Sequence, residues 1–277
     1  MKFSSSPLHV GFISIGYHIC KAEMNIIVKG VKTVQRRVLF LLFIGLVLIF
    51  TVGYVPFSTR MKTQETDAPI DPANFVKKID NKYFPLKPGT TFFYKGVAKE
   101  GDVRSEFFVT DDTKVILGVT TTVVRDTVKV NGELTEKTFD WFAQDKQGNV
   151  WYFGEDSKDY ENGKVVSTEG SWEAGVDGAK PGIIMEANPQ VGDSYKQELA
   201  KGVAEDMAQV LNLGKSVSVP FGSFDNCLQT KEWTPLEPGV VEHKYYAPKI
   251  GLVLVIQVKG PKEQIELVNI TSEDNDK

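Results

Sequence analysis

Two cysteines and three histidines are all that this 277-residue chain holds of the side chains that most readily bind transition metals. Cys20 and Cys227 lie far apart with no Cys-x-x-Cys pair, which removes structural zinc and dithiol chemistry. A hydrophobic run separates them; if it crosses a membrane, the two thiols face different compartments and no intrachain disulfide is open to them. Cys227 then reads as a small buried residue. Tyr17-His18-Ile19 ahead of Cys20 lacks the small residue that a lipobox places before its cysteine. His243 is the single histidine beyond the run, too few for a two- or three-histidine metal centre, and neither Glu-x-x-His nor Gly-x-Ser-x-Gly occurs. The phrase GNVWYFG resembles part of a propeller blade but appears once, whereas a propeller needs several copies.

Charge divides the chain. Through Thr66 there are eight Lys/Arg and two acids, net +6; with −4 for the whole chain, the remainder carries −10. Phosphate binding needs clustered cations, so the acidic remainder is not expected to take nucleic acid as its partner. Val38 to Val55 is an uncharged apolar run of 18 residues, preceded by Lys29, Lys32, Arg36 and Arg37. That is close to the span of a hydrocarbon core, and the positive-inside rule puts residues 1–37 in the cytoplasm and everything after Pro56 outside. The expected organisation is a basic cytoplasmic N-terminus (1–37), a transmembrane anchor or uncleaved signal (38–55), a tether (56–74) and an extracytoplasmic β domain (75–277). A cleaved signal is the rival, with Thr51-Val52-Gly53 as its site, and would make the product secreted. A start at Met24 would also leave a basic region and anchor.

The body is organised by turns. Asn131-Gly132 and Asn162-Gly163 are the dipeptides that two-residue type I′ hairpins favour. Asp145 to Asn149 forms another turn cluster between them, which predicts a meander from about Thr90 to Trp172. Thr110-Asp111-Asp112 is expected to separate two strands, and Gly118 to mark a bulge. Ala204 to Leu211 has the composition of a short helix. Strands return at 216–219, 226–233, 240–246, 250–259 and 264–270. In the fourth of these, Ile250, Leu252, Leu254, Ile256 and Val258 are expected to face the core, and Val253, Val255 and Gln257 the mixed side. The expected fold is all-β with minor α: about ten or eleven antiparallel strands closing into a barrel or half-barrel.

Two sets of site residues stand out. Aromatics are dense on successive strands, and Trp141, Trp151, Trp172 and Tyr245 are the candidate ligand contacts. Core packing accounts for most such rings, but a strand aromatic on both faces must meet a ligand or partner on one of them. The second set is acidic: Asp140, Glu155 and Glu173 could serve glycoside hydrolysis, although acids beside turns are more often solvated. The register around Gly163 would put Lys158 at the first ligand position of an EF-hand loop, so that motif fails. The loop 173–182 is Gly-rich but lacks Gly-Lys-Ser/Thr; it reads as a mobile flap with Trp172 at its hinge. No cofactor and no metal site is expected from these patterns.

The phrases YFPLKPGT from Tyr83, DWFAQDKQGNVWYFGED from Asp140, SWEAGVDGAKPG from Ser171 and LEPGVVEHKYYAPKIGLV from Leu236 resemble a family of secreted or membrane-anchored prokaryotic all-β proteins. The resemblance spans Asn81 to Val255 and implies an extracytoplasmic β body, without an activity or catalytic residues. The closing tyrosine-rich strand and IGLV strand are similar to the ends of lipoprotein-carrier-like half-barrels. Three functions follow as expectations. The first is a membrane-tethered binding module for an apolar or amphipathic ligand, a lipid or an envelope protein. The second is a carboxylate-dependent hydrolase of an extracellular polymer, and the third is a structural envelope component.

Overall fold

Residues 69–273 are described in the computed structural model. The expectations for the N-terminus, the hydrophobic run, Cys20 and most of the tether lie outside the described residues. In chain order the first strands are β1 (Phe75–Val76), β2 (Ile79–Asp80), β3 (Pro85–Leu86), β4 (Thr90–Ala98), β5 (Gly101–Ile116) and β6 (Val119–Val130). There follow β7 (Glu133–Asp145), β8 (Val150–Glu161), β9 (Lys164–Ser167), β10 (Trp172–Glu173), β11 (Lys180–Met185) and β12 (Ser194–Lys196). The last are β13 (Glu198–Leu199), β14 (Met207–Val219), β15 (Gly222–Trp233), β16 (Val241–Ala247), β17 (Gly251–Lys259) and β18 (Gln264–Ser272).

Two antiparallel meanders, β4 to β8 and β14 to β18, are joined side by side because β18 pairs with β4. Their free edges are β8 and β14. Strand β11 extends the sheet from β8, and the segment Ser194–Leu199 bridges what is left. Its first part, β12, pairs with β14 and its last part, β13, pairs with β11, so a single stretch of chain brings the barrel nearly to closure. This seam holds by three and two paired positions, against eight between β4 and β5. This covers much of the exposed edge that makes open sheets liable to aggregate.

The turns explain the hairpins. Asn131 and Gly132 have φ of 51° and 89°, and Asn162 and Gly163 have φ of 51° and 72°, the left-handed values a two-residue turn requires. Leu117 and Gly118, at 50° and 80°, form a turn of the same kind, so Gly118 is a turn residue and not the expected bulge. The bulge lies upstream: β5 runs unbroken through 110–112, its register shifting between Val109 and Thr113. Thr110 Oγ1 donates to the Val123 carbonyl at 2.7 Å there, which keeps the irregular stretch on β6.

Three further expectations are corrected. The described residues contain eighteen strands, several of two or three residues, and their one helix is a 3-10 turn, Pro72–Asn74. The stretch expected to be helical, 204–211, enters β14 instead. Ala208 and Val210 are buried opposite Glu232 and Thr230, and this pairing overrides the helical preference of Ala, Met and Gln. On β17 the register sets Val255 opposite Lys244 and Gln257 opposite Glu242, so the side expected to be mixed is the inward one; Val258 is exposed.

The interior has two halves. Toward one end, Phe84, Phe92, Phe107, Phe142 and Tyr152 fill the barrel, with Phe142 stacked on Tyr152 at 4.8 Å and Phe84 edge-on to Phe142 at 5.4 Å. The segment 75–86 covers this end. Asn81 anchors it, its Oδ1 accepting from the Tyr83 and Phe84 amides and its Nδ2 donating to the Gly148 and Glu186 carbonyls. Cys227 is fully buried. The half nearer the Asn-Gly turns is polar.

Candidate functional site

Inward-facing positions at two-residue spacing line the polar half with carboxyl groups. Asp126 comes from β6, Glu136 and Asp140 from β7, Glu155 and Asp159 from β8, Glu198 from β13, Glu232 from β15 and Glu242 from β16; Asp206 and Glu263 directly precede β14 and β18. All ten are at most 9% exposed, and Lys244 is the one buried cationic side chain among the described residues. Cross-strand register brings them together, with Glu136 opposite Asp159, Asp140 opposite Glu155 and Glu232 opposite Glu242.

Lys244 Nζ lies 2.9 Å from Glu232 Oε2 and 3.6 Å from Glu242 Oε2. Burial opposes its charge, but Glu232 and Glu242 outweigh that and hold the ammonium above its usual range. Glu232 also accepts from Thr230 Oγ1 at 2.7 Å and from the Tyr246 hydroxyl at 3.0 Å. The acids farther from Lys244 lack such compensation. Burial pushes Asp140 up to about 7, against the lowering effect of the Tyr152 hydroxyl. Burial also raises Glu136, with Asp126 adding to it, and raises Glu155 and Glu198, whose neighbours Asp140 and Asp206 add to it. Asp206 rises to about 7 through burial even with Lys244 pulling it down, and Glu242 to about 6 for the same pair of reasons. A desolvated carboxylate is costly, so the protonated form prevails where no cation is at hand.

Asp140 and Glu155 are brought together: the Tyr152 hydroxyl stands 2.7 Å from Asp140 Oδ1 and 3.1 Å from Glu155 Oε2. Glu173 is separate, pairing with Lys114 at 2.7 Å at the half-exposed outer surface. The same Lys114 ammonium sits 3.3 Å above the Trp141 ring, so Trp141 is covered from outside by a cation. Trp172 lies opposite Glu155, buried and edge-on to Tyr152 at 5.4 Å; its Nε1 makes no hydrogen bond. The strand yields to admit it at Gly154, where a Cβ would meet the Trp172 carbonyl at 2.2 Å. Tyr245 is on the outer face of β16, its hydroxyl accepting from Gln229 Nε2, which also meets His243 Nδ1. The four candidate aromatics therefore occupy four places.

Trp151 alone of them lines an open groove of about 700 Å³. The segment Pro69 to Phe75, with Asp71, lines it together with the Gly-rich loop through Gly175, Ala179, Lys180 and Pro181, and Leu117 and Lys146 complete the lining. Trp151 is fixed by Nε1 donating to Asp145 Oδ2 at 2.9 Å and by an edge contact with Phe75 at 6.1 Å. The loop is braced by its own backbone bonds, Gly175 N to Ala179 O at 2.8 Å and Ala179 N to Val176 O at 2.9 Å. Gly175 has φ of 90° and rests on Leu117, whose Cδ2 would lie 2.6 Å from an added Cβ.

Most of the carboxyl belt escaped the reading of the sequence. The signal was available in Glu136-x-Thr138-x-Asp140 and Glu155-x-Ser157-x-Asp159, polar residues at strand period that put one face in a common environment. Among the described residues no group of three or more His, Cys, Asp or Glu is arranged to hold a metal ion.

Fold and site define a class: a nearly closed antiparallel β-barrel with a carboxyl-lined interior and an outer groove beside its N-terminal segment. No family model and no curated protein matches the chain. Two solved structures are similar to it. One, from Bacteroides fragilis NCTC 9343, is assigned as an exported protein with a YmcC-like fold; it shares 15% identity over 69% of this chain and 100% of its own, with a TM-score of 0.39. The other, from Parabacteroides distasonis ATCC 8503, is assigned as a lipoprotein; it shares 14% identity over 69% of this chain and 99% of its own, with a TM-score of 0.35.

Proposed function

We propose that the protein is a membrane-tethered binding module, held outside the cytoplasm, that takes an anionic amphiphile into the groove between residues 69–75 and the Gly-rich loop. The groove itself carries this reading. Ile70, Phe75, Leu117, Trp151 and Pro181 give it an apolar lining, and Lys146 and Lys180 outnumber the single lining acid, Asp71, on a body that is otherwise net acidic. Such a surface suits an apolar tail and a negative head. The charge asymmetry about the run 38–55 supports the tethered, outward orientation. Covering about 300 Å² of apolar ligand surface at ~25 cal/mol per Å² would contribute roughly 7 kcal/mol gross, enough for micromolar binding when the groove is preformed.

The hydrolase alternative has its specific observation in the Asp140–Tyr152–Glu155 contact. Both carboxyl groups are buried in the barrel and share one hydroxyl, whereas glycoside hydrolysis needs acids flanking a cleft that admits the sugar. The groove reading is preferred for its access.

The test is photolabelling of the full-length chain in membranes with a diazirine-bearing fatty acid, with the labelled sites mapped by mass spectrometry. Labels should cluster on 69–75, 146–151 and 175–181 and be competed by unlabelled fatty acid. Scattered labelling, or none, would overturn the proposal.

A further inference from the structure

The seam that nearly closes the barrel is also where its acids meet. Glu198 sits on β13, with Asp206 on one side and Glu155 and Tyr152 of β8 on the other. Glu198 and Asp206 are both at most 9% exposed, and burial holds both carboxyls above their ordinary range, with Asp206 adding to the effect on Glu198. The Asp206 carbonyl accepts from the Gln197 amide at 2.7 Å and the Glu198 amide at 3.3 Å, which ties the seam backbone to the same residue. Facing Asp206 in turn are Lys244 and Glu242 of β16 and Glu232 of β15. Glu232 and Glu242 engage Lys244 directly, and its pull on Asp206 is outweighed by burial.

Against this stands the weakest pairing of the ring. Strand β13 is joined to β11 at two positions, Lys180 with Leu199 and Pro181 with Glu198, and proline has no N–H to give to the ladder. The adjoining contact is close as well as short: at Gly182 a Cβ would lie 2.1 Å from the Gln197 carbonyl oxygen. Gln197 is itself buried, and neither atom of its side-chain amide makes a hydrogen bond. The Gln197–Glu198 stretch thus combines buried polar groups with one of the sheet's sparsest backbone pairings.

We infer that the Ser194–Leu199 seam is a proton-dependent latch: it stays shut while Glu198 or Asp206 holds a proton and releases when both ionise. Two adjacent buried carboxylates repel each other and Glu155 across the seam, and the two-position pairing to β11 is the link that gives way. With burial lifting Asp206 to about 7, release falls in the neutral to mildly alkaline range. Lys180 and Pro181 belong both to this link and to the groove, so release also deforms the groove wall; that consequence alone rests on the groove being the binding site.

Hydrogen exchange of the full-length chain in membranes, followed by mass spectrometry at pH 5.5 and 8.5 and corrected for intrinsic rates, tests the latch without any amphiphile present. Residues 194–199 should lose about tenfold or more of protection at the higher pH beyond whatever the β5–β6 and β6–β7 hairpins lose through the general fall in stability. Glu198→Gln keeps the shape, removes the second charge and should flatten the dependence; Glu133→Gln, at an exposed site, should leave it intact. The inference is overturned if Glu198→Gln retains the full dependence, or if protection falls equally across all strands. A negative photolabelling result, by contrast, bears on the groove alone.

Discussion

The barrel interior and the outer groove divide the labour that the sequence suggests in one place. Acids, tyrosines and a tryptophan crowd the interior, where reaction chemistry would be sought, yet Asp140, Glu155 and Trp172 are shut away from solvent. The groove has few titratable groups, Asp71, Lys146 and Lys180 among them, but it is open and mixed in polarity. Residues with unusual protonation are a common guide to active sites. Here burial is the largest cause for each raised carboxyl, and a perturbed group without access points to stability and its dependence on pH. Interior substitutions should therefore move stability and leave amphiphile labelling alone, and groove substitutions should do the reverse.

The largest effect is expected inside. Lys244→Met strands Glu232 without its cation and should destabilise the fold by about 3–5 kcal/mol near neutral pH, read from chemical denaturation. Phe142→Ala, which removes the ring stacked on Tyr152, should cost a similar ~3–5 kcal/mol, but with no dependence on pH. A loss that is equal at pH 5 and 8 for Lys244→Met as well would erase the distinction between the two halves.

The next effect is on pH itself. Asp140, Asp206 and Glu242 have folded values raised above those of unfolded carboxylates, so the folded state keeps protons that the unfolded chain has released. Their contribution to stability is present at low pH and is lost as pH rises from about 4 through about 7. A net loss of ~2 kcal/mol between pH 5 and 8 would lower the melting temperature by about 4–8 °C in a domain of this size. Asp140→Asn should reduce that fall; a melting temperature that rises over the same range would show the interior acids to be ionised and paired.

Smaller still is the effect of the hairpin glycines. Gly132→Val and Gly163→Val meet no neighbouring atom, so their cost is that of a β-branched residue at positive φ, about 1–2 kcal/mol each. Neither should alter labelling of the groove. Equal melting temperatures for variant and parent would show the turns to tolerate other geometry.

Much of the sheet was legible because its signals are local. Asn-Gly pairs impose their turn wherever they stand, and the β-branched run 119–130 has little alternative to a strand. What was not legible depended on pairing between distant segments. Ala208 and Val210 became strand residues because β15 lies beside them, and the inward face of β17 was set by Lys244 and Glu242 on β16. The seam is the extreme case: Ser194–Leu199 has no strand pattern of its own and is ordered by two neighbours far from each other in sequence. For the site, Asp140 and Glu155 could be named from their strands. Glu198 and Asp206 could not, because they meet across an irregular turn with no strand pattern, and only the pairing of β13 with β11 sets them beside Glu155.

The most direct measurement sets one groove variant against one interior variant in the same photolabelling experiment. The full-length chain, with Trp151→Ala combined with Lys146→Glu, is compared in membranes with Glu155→Gln and with the parent, at pH 6, where the seam is shut. The groove variant should lose about tenfold in labelling affinity, equivalent to ~1.4 kcal/mol, while Glu155→Gln labels as the parent does. Unchanged labelling of the groove variant together with loss in Glu155→Gln would place the site inside the barrel and contradict this account.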